Sequence, residues 1–419
     1  MKKYENYKDS GLEWLGMVPE HWGIVPLKYL LSEPLQYGAN ESADNCNPSE
    51  PRYIRITDIT EDGKLRKSTY RTLPYQKAEG YMLKKGDILF ARSGATVGKT
   101  FIFEEDYDAC FAGYLIKASC NEKLLPMFLY YFTSSNSYEN WKNSTFNQAT
   151  IQNIGADKYC TLPIPTPSSE EQEGIINFLS HNVAQIDALI SEKEKMVEDL
   201  KAYRSSLITE TVTKGLDKGV EMKDSGVEWI GKMPQNWKLL KLKRIVNLKS
   251  GTSLTSDRIL DEGKYQVFGG NGPRGYIDDY TNEGNFVLIG RQGALCGNIN
   301  YANGKFWATE HAIICYPLKE IDTIWLGETL RAMNLNQYSI SAAQPGLAVE
   351  RINELLIPTP SISEQKEISS YLKLKITQIE SAISEQEHQL SDLKSYKSSL
   401  ITEAVTGKID LRDWQTKKS

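Results

Sequence analysis

No stretch of this chain approaches the ~18 uninterrupted apolar residues of a membrane helix. Its first ten residues, Met1–Ser10, hold no apolar core, so a secretory signal is not expected either. The six cysteines (Cys46, Cys110, Cys120, Cys160, Cys296 and Cys315) form no CxxC pair and no cluster. That argues against a zinc site or a disulfide framework and for reduced thiols in a cytoplasm. Only four histidines occur, His21, His181, His311 and His388. With no HExxH motif and no Ser/His/Asp spacing, neither a metal site nor a catalytic residue is expected. An excess of positive charge is missing as well: 49 Lys and Arg stand against 54 Asp and Glu, a net charge of −5. Five basic and nine acidic residues fall within 168–214 and supply most of the acidic excess. The flanking regions are close to neutral, so a nucleic-acid site there must be a local patch rather than a whole-domain field.

What the chain does have is repetition, the first thing to establish because a missed repeat miscalls the fold. Lys8-Asp-Ser-Gly-Leu-Glu-Trp-Leu-Gly-Met-Val-Pro-Glu-His-Trp22 returns as Lys223-Asp-Ser-Gly-Val-Glu-Trp-Ile-Gly-Lys-Met-Pro-Gln-Asn-Trp237. Pro165-Thr-Pro-Ser-Ser-Glu-Glu-Gln172 returns as Pro358-Thr-Pro-Ser-Ile-Ser-Glu-Gln365, and Tyr203-Arg-Ser-Ser-Leu-Ile-Thr-Glu210 as Tyr396-Lys-Ser-Ser-Leu-Ile-Thr-Glu403. The chain is two copies of one unit, 1–214 and 215–419. The last two blocks share one offset, so the segment between them tolerates no length change. The region before them does, and it diverges.

The matched segment reads as a long helix. Pro167 or Pro360, then Ser168 or Ser361, then Glu171 or Glu364 form a capping-box start. Gly215 and Gly407 stand where helices stop. Ile175, Leu179, Asn182, Ile186, Leu189, Lys193, Met196, Leu200, Tyr203 and Leu207 follow the alternating 4,3 spacing of a coiled coil. Ile368, Leu372, Lys375, Ile379, Ala382, Gln386, Gln389, Leu393, Tyr396 and Leu400 repeat it. The expected pairing seam is Ile186, Leu189, Met196, Leu200, Tyr203 and Leu207 against Ile379, Ala382, Leu393, Tyr396 and Leu400. Polar residues in mid-seam (Asn182, Lys193, Lys375, Gln386, Gln389) are the kind that fix register and partner at a cost in stability. Two such helices packing on each other antiparallel would relate the copies by a pseudo-two-fold axis. A coil through 182–212 would span ~45 Å at ~1.5 Å per residue. The competing arrangement folds each helix onto its own domain.

The divergent regions read as mixed α/β with short strands, among them Tyr53–Thr57, Asp87–Ala91, Tyr114–Lys117, Phe286–Ile289 and Ala312–Tyr316. The expected class is therefore α+β: two globular mixed α/β domains, 1–167 and 215–360, separated by helical spacers at 168–214 and 361–419. One loop recurs after the same strand, Arg92-Ser-Gly-Ala-Thr-Val-Gly98 and Arg291-Gln-Gly-Ala-Leu-Cys-Gly297. A polar turn with arginine beside small residues suits close approach to a phosphate or a base edge. It equally suits a structural turn whose arginine pairs internally. Ser93-Gly-Ala-Thr-Val-Gly-Lys-Thr100 misses a P-loop by its first residue, and no amphipathic helix follows. Gly270-Asn-Gly-Pro-Arg-Gly275 matches GxGxxG only as text, since Pro273 interrupts it.

The three repeated blocks resemble the specificity subunit of type I restriction-modification systems, and the likeness spans the chain, two-copy order included. The resemblance implies two target recognition domains, each reading one half of a bipartite double-stranded DNA site. It implies paired helices that set the gap between half-sites and dock two copies of a modification (methyltransferase) subunit, with restriction subunits joining for cleavage. S-adenosylmethionine, ATP and Mg would then sit on those partners, with no cofactor in this chain, no catalysis of its own, no membrane contact and a cytoplasmic location. Near-neutral charge suggests that the partners supply much of the phosphate contact. Recognition domains vary across such a family, so base-reading candidates rest on chemistry alone. They are Arg92, Ser93, Arg291 and Gln292 in the recurring loop, Asn271 and Arg274 in the glycine turn, and Gln148 and Gln344 just before the return to the helix. Two other classes remain: a coiled-coil scaffold with two protein-binding domains, and a P-loop-like NTPase built around Lys99.

Overall fold

The computed structural model describes residues 2–60, 63–146, 153–293, 295–339 and 346–414. They form two compact units, residues 1–193 with 388–419, and residues 194–387.

In unit 1, strand β1 (Gly23–Pro26), β2 (Gln36–Tyr37), β3 (Ile88–Ala91), β4 (Thr100–Ile102), β5 (Leu115–Ala118) and β6 (Pro163–Thr166) lead into the long helix α1 (Ser169–Lys214). Strands β2, β5, β3 and β4 lie in that order in an antiparallel sheet, and β6 pairs with β1. In unit 2 the series is β7 (Lys238–Lys241), β8 (Val246–Ser250), β9 (Phe286–Gly290), β10 (Ile299–Ala302), β11 (Ala312–Pro317), β12 (Leu356–Thr359) and the long helix α2 (Ile362–Val405). Here the order is β8, β11, β9, β10, again antiparallel, and β12 pairs with β7. A parallel pair recurs too, Arg52–Ile54 with Ala109–Phe111 and Tyr265–Gly269 with Lys305–Ala308. Two regions that share little sequence thus carry one topology. The runs Ile88-Leu-Phe-Ala91 and Phe286-Val-Leu-Ile-Gly290 are almost wholly buried, which is why they read as short apolar runs rather than alternating ones.

The repeated blocks have structural reasons. Tyr7–Asp9 pairs with Met17–Pro19, and Met222–Asp224 with Lys232–Pro234. In each hairpin an aspartate oxygen accepts from the glycine N–H two residues on, Asp9 from Gly11 and Asp224 from Gly226. Gly11, Gly16, Gly226 and Gly231 all hold φ between 63° and 72°, where a side chain would be strained. The indole N–H of Trp22 donates to Glu171, and that of Trp237 to Glu364. Gln172 donates to Pro167 O and accepts from Leu125 N; Gln365 donates to Pro360 O and accepts from Asp322 N. The Pro-x-Pro-x-x-x-Glu-Gln block therefore ties the helix start to the repeated tryptophan and to the residue that opens the short helix Pro126–Thr133 or Thr323–Ala332.

Each unit takes its helices from both copies. Leu400, Ile401, Ala404 and Val405 of α2 lie in the unit 1 core with Trp22, Phe132, Ile164 and Leu179. Ile208 and Val212 of α1 lie in the unit 2 core with Trp237, Trp325, Ile357 and Leu372. Gly407 ends against Trp22 and Gly215 against Trp237, both at φ near 70°. Across unit 1, Lys397 donates to Asp187 (2.6 Å) and Lys193 to Gln389 (2.5 Å). Across unit 2, Lys201 donates to Glu387 (2.9 Å) and Arg204 to Glu380 (3.3 Å). Residue numbers rise on one helix as they fall on the other, so the two segments run antiparallel within each unit.

The inward-facing residues correct four of the eleven expected seam positions. Ile186, Leu207, Ile379 and Leu400 are buried, and Leu200, Ala382 and Leu393 are partly so. Leu189, Met196, Tyr203 and Tyr396 are exposed; of the next residues along, Val197 is buried and Ile190, Arg204 and Lys397 are partly so. Leu189-Ile190 and Met196-Val197 are adjacent apolar pairs, so spacing alone could not say which member faces the neighbour.

Candidate nucleic-acid interface

The recurring loop caps the β3–β4 hairpin in unit 1 and the β9–β10 hairpin in unit 2. Gly98 N donates to Ala91 O and Gly297 N to Gly290 O, each at 2.8 Å. Gly94, Gly98, Gly293 and Gly297 all hold φ between 78° and 88°, so the loop cannot dispense with them. Each loop also pairs with a residue ahead of the return to the long helix: Ser93 bridges Asn153, and Gln292 bridges Gly346. Ile154 N donates to Arg92 O and Leu347 N to Arg291 O, both at 2.9 Å. Gln148 and Gln344 lie outside the described residues.

The two arginines share a backbone position and differ in what holds their side chains. The Arg92 guanidinium lies 4.9 Å from the Tyr37 ring centroid, a cation–π contact, and its Nε is buried with no hydrogen-bond partner among the described residues. Arg291 donates to Ser250 Oγ at 3.2 Å. Tyr37 and Ser250 end β2 and β8, and the glycine after each, Gly38 or Gly251, packs on backbone carbonyls too closely to admit a Cβ. Those carbonyls belong to Phe111 and Ala112, or to Ala308 and Thr309, so the packing fixes each strand end against that neighbouring backbone. Arginine is thus held on one side and half-exposed on the other, which leaves part of its fork of donors for a ligand.

In unit 2 the glycine turn meets the same loop. Asn271, Arg274, Gln292, Leu295 and His311 line an open cavity of about 390 Å³. Asn298 donates to the Asn271 side chain at 2.9 Å, and the Arg274 stem lies over Gly269. Asn271, Arg274 and Gln292 therefore stand on one surface of unit 2, with Arg291 next to Gln292 in the chain. Arg92 and Ser93 stand together in unit 1. The textual GxGxxG is a strand, Gly272–Ile277, not a helix opening. After the P-loop-like run the chain enters strand β4, and the Gly98 and Lys99 amides donate within the hairpin, to Ala91 O and Thr96 O. They cannot also cradle phosphates.

Cys110 and Cys120 are pushed up to about 12 by burial, so neither thiol ionises near neutrality. Among the described residues no group of three or more His, Cys, Asp or Glu could hold a metal ion, and no helix is long and apolar enough to cross a membrane. Tyr114 and His311 accept the same backbone bond, from Arg92 N and Arg291 N, and no sequence signal marks the match. Nothing in Phe111-Ala-Gly-Tyr114 resembles Thr309-Glu-His311.

The type I restriction modification DNA specificity domain matches residues 36–199 and again 234–388. The chain is 29% identical over 327 residues to the type I restriction enzyme EcoprrI specificity subunit of Escherichia coli, covering 76% of this chain and 79% of that one. It is 24% identical to the MjaVIII specificity subunit of Methanocaldococcus jannaschii, covering 98% and 97%. Among solved structures, a chain from work on complex assembly and conformational transition of the type I R-M system superposes with a TM-score of 0.73 at 17% identity, covering 93% of this chain and 98% of that chain. The HsdS subunit of Thermoanaerobacter tengcongensis superposes at 0.50 and 17%, covering 94% and 98%.

Proposed function

Given that the chain belongs to the type I restriction modification DNA specificity family, we propose that it reads a bipartite, asymmetric double-stranded DNA site. Each unit reads one half-site, and α1 and α2 pair as an antiparallel coiled coil that fixes the gap between them. The observation that carries this reading is the repeated hairpin loop. Arg92 and Arg291 occupy one backbone position in two copies of one sheet, amid side chains that differ. Equal placement suits one task done twice, and unlike surroundings suit unlike half-sites. Successive major-groove faces lie ~34 Å apart, within reach of a spacer of ~45 Å.

The boundaries proposed for these parts are 1–167 and 215–360 for the readers and 168–214 and 361–419 for the spacers. The matched helices would present the same surface twice and so dock two copies of a modification subunit, with restriction subunits joining the assembly. Those partners would bring S-adenosylmethionine, ATP and Mg, and would extrude and methylate the target adenine. This chain would contribute recognition and no chemistry, in the cytoplasm. The test is binding of the chain with its modification subunits to duplex DNA over a salt series. A specific site whose log affinity falls linearly with log salt is expected. Absence of duplex binding in the assembled complex would instead favour a scaffold with two protein-binding domains.

A further inference from the structure

Beside each recurring arginine stands one position that the sequence does not align. Arg92 N donates to Tyr114 O at 3.0 Å, and Arg291 N donates to His311 O at 2.9 Å. The pairings around them match: Ala91 faces Leu115 across β3 and β5, and Gly290 faces Ala312 across β9 and β11. Tyr114 and His311 are therefore the same residue of the fold in its two copies.

Both side chains are open to solvent, Tyr114 at 61% and the His311 side chain at 42%. Burial does not explain either choice. Among the described residues Tyr114 makes no side-chain hydrogen bond and no ring contact. His311 lines the unit 2 cavity with Asn271, Arg274 and Gln292, and its Nε2 lies 3.3 Å from Glu310. One position thus carries a bare phenol ring in one unit. In the other it carries an imidazole within a set of amides and a guanidinium.

We infer that the position shared by Tyr114 and His311 determines which base each unit reads next to its arginine. The inference rests on the DNA-reading function proposed above. An imidazole offers a donor or an acceptor at each nitrogen, and with the Asn271 and Gln292 amides and Arg274 it suits the hydrogen-bonding edge of a purine in the major groove. A tyrosine ring suits apolar contact with the thymine methyl group, the one apolar mark in that groove. Unit 2 then takes a purine at this place and unit 1 a thymine.

The experiment makes His311→Tyr and Tyr114→His separately in the full chain, with its modification subunits, and maps adenine methylation at base resolution. Each variant is expected to alter the preferred base at one half-site and to leave the other half-site and the gap unchanged. Methylation of the original site should fall about 5- to 150-fold relative to the altered one, the scale of a single mismatched base pair. Should His311→Tyr fail to fold, His311→Asn keeps a donor and an acceptor in less volume, and its change must fall on the same half-site. An unchanged motif, or an equal loss at both half-sites, would overturn the inference. A wild-type chain that directs no methylation would overturn the proposed function itself, so the two failures are distinguishable.

Discussion

The indole N–H of Trp237 donates to Glu364 Oε1 at 2.9 Å, joining the end of a repeated hairpin to the first turn of α2. Trp237 is 2% exposed. Trp237→Phe removes the donor and leaves a carboxylate without it, so a loss of about 1.5–3 kcal/mol is expected. Denaturant unfolding of the full chain checks this. An unchanged midpoint would show that the bond contributes nothing net.

Glu171, the counterpart in unit 1, gathers more partners. Burial pushes its carboxyl up, but bonds from His21, Ser168 and Trp22 outweigh that and hold it below the ordinary glutamate value. Tyr4 and His21 both lie within hydrogen-bonding distance. A carboxyl lower in the folded than in the unfolded chain binds its proton less readily when folded. Its contribution is present above the ordinary glutamate pKa and is lost as pH falls through the folded value. Glu171→Gln is expected to flatten the fall of unfolding free energy between pH 5 and pH 3, the window just around and below that pKa. An identical acid profile in the variant would refute the assignment.

The helix contacts divide sharply by position. Leu400 is 3% exposed, while Tyr396 one turn earlier is 53% exposed. Leu400→Ala should cost about 2–5 kcal/mol by the cavity it opens. Tyr396→Ala should stay within about 0.5 kcal/mol. Chemical denaturation of the two variants in parallel gives the comparison, and equal losses would put Tyr396 back in the seam.

The loop arginines should separate by half-site. Arg92→Ala is expected to weaken recognition of one half-site and Arg291→Ala of the other, each by about 1–3 kcal/mol. Binding of the complex to duplexes altered in one half-site at a time measures this. An equal loss across both would mean phosphate contact or misfolding, not base reading.

Much of this architecture was legible in the sequence, and the rest was hidden for identifiable reasons. Helix starts at Ser168 and Ser361, stops at Gly215 and Gly407, and the strands at Ile88–Ala91 and Phe286–Gly290 follow from caps, glycine and apolar runs. The recurring arginine loop was visible because Arg-x-Gly-Ala survives in both copies. The inward choice of Ile190 over Leu189 was not, because two neighbouring apolar residues fit either seam. The composition of each compact unit was not legible either, since Leu400 and Ile401 complete a core that begins almost four hundred residues earlier. The Tyr114–His311 equivalence exists only in backbone hydrogen bonds, which leave no mark on side-chain identity.

Methylated adenines mapped at base resolution, in otherwise identical cells with and without this chain, probe the two-reader account most directly. One two-part motif with unlike halves and a constant gap should be present with the chain and vanish without it. A methylation pattern that persists unchanged when the chain is removed would contradict the account.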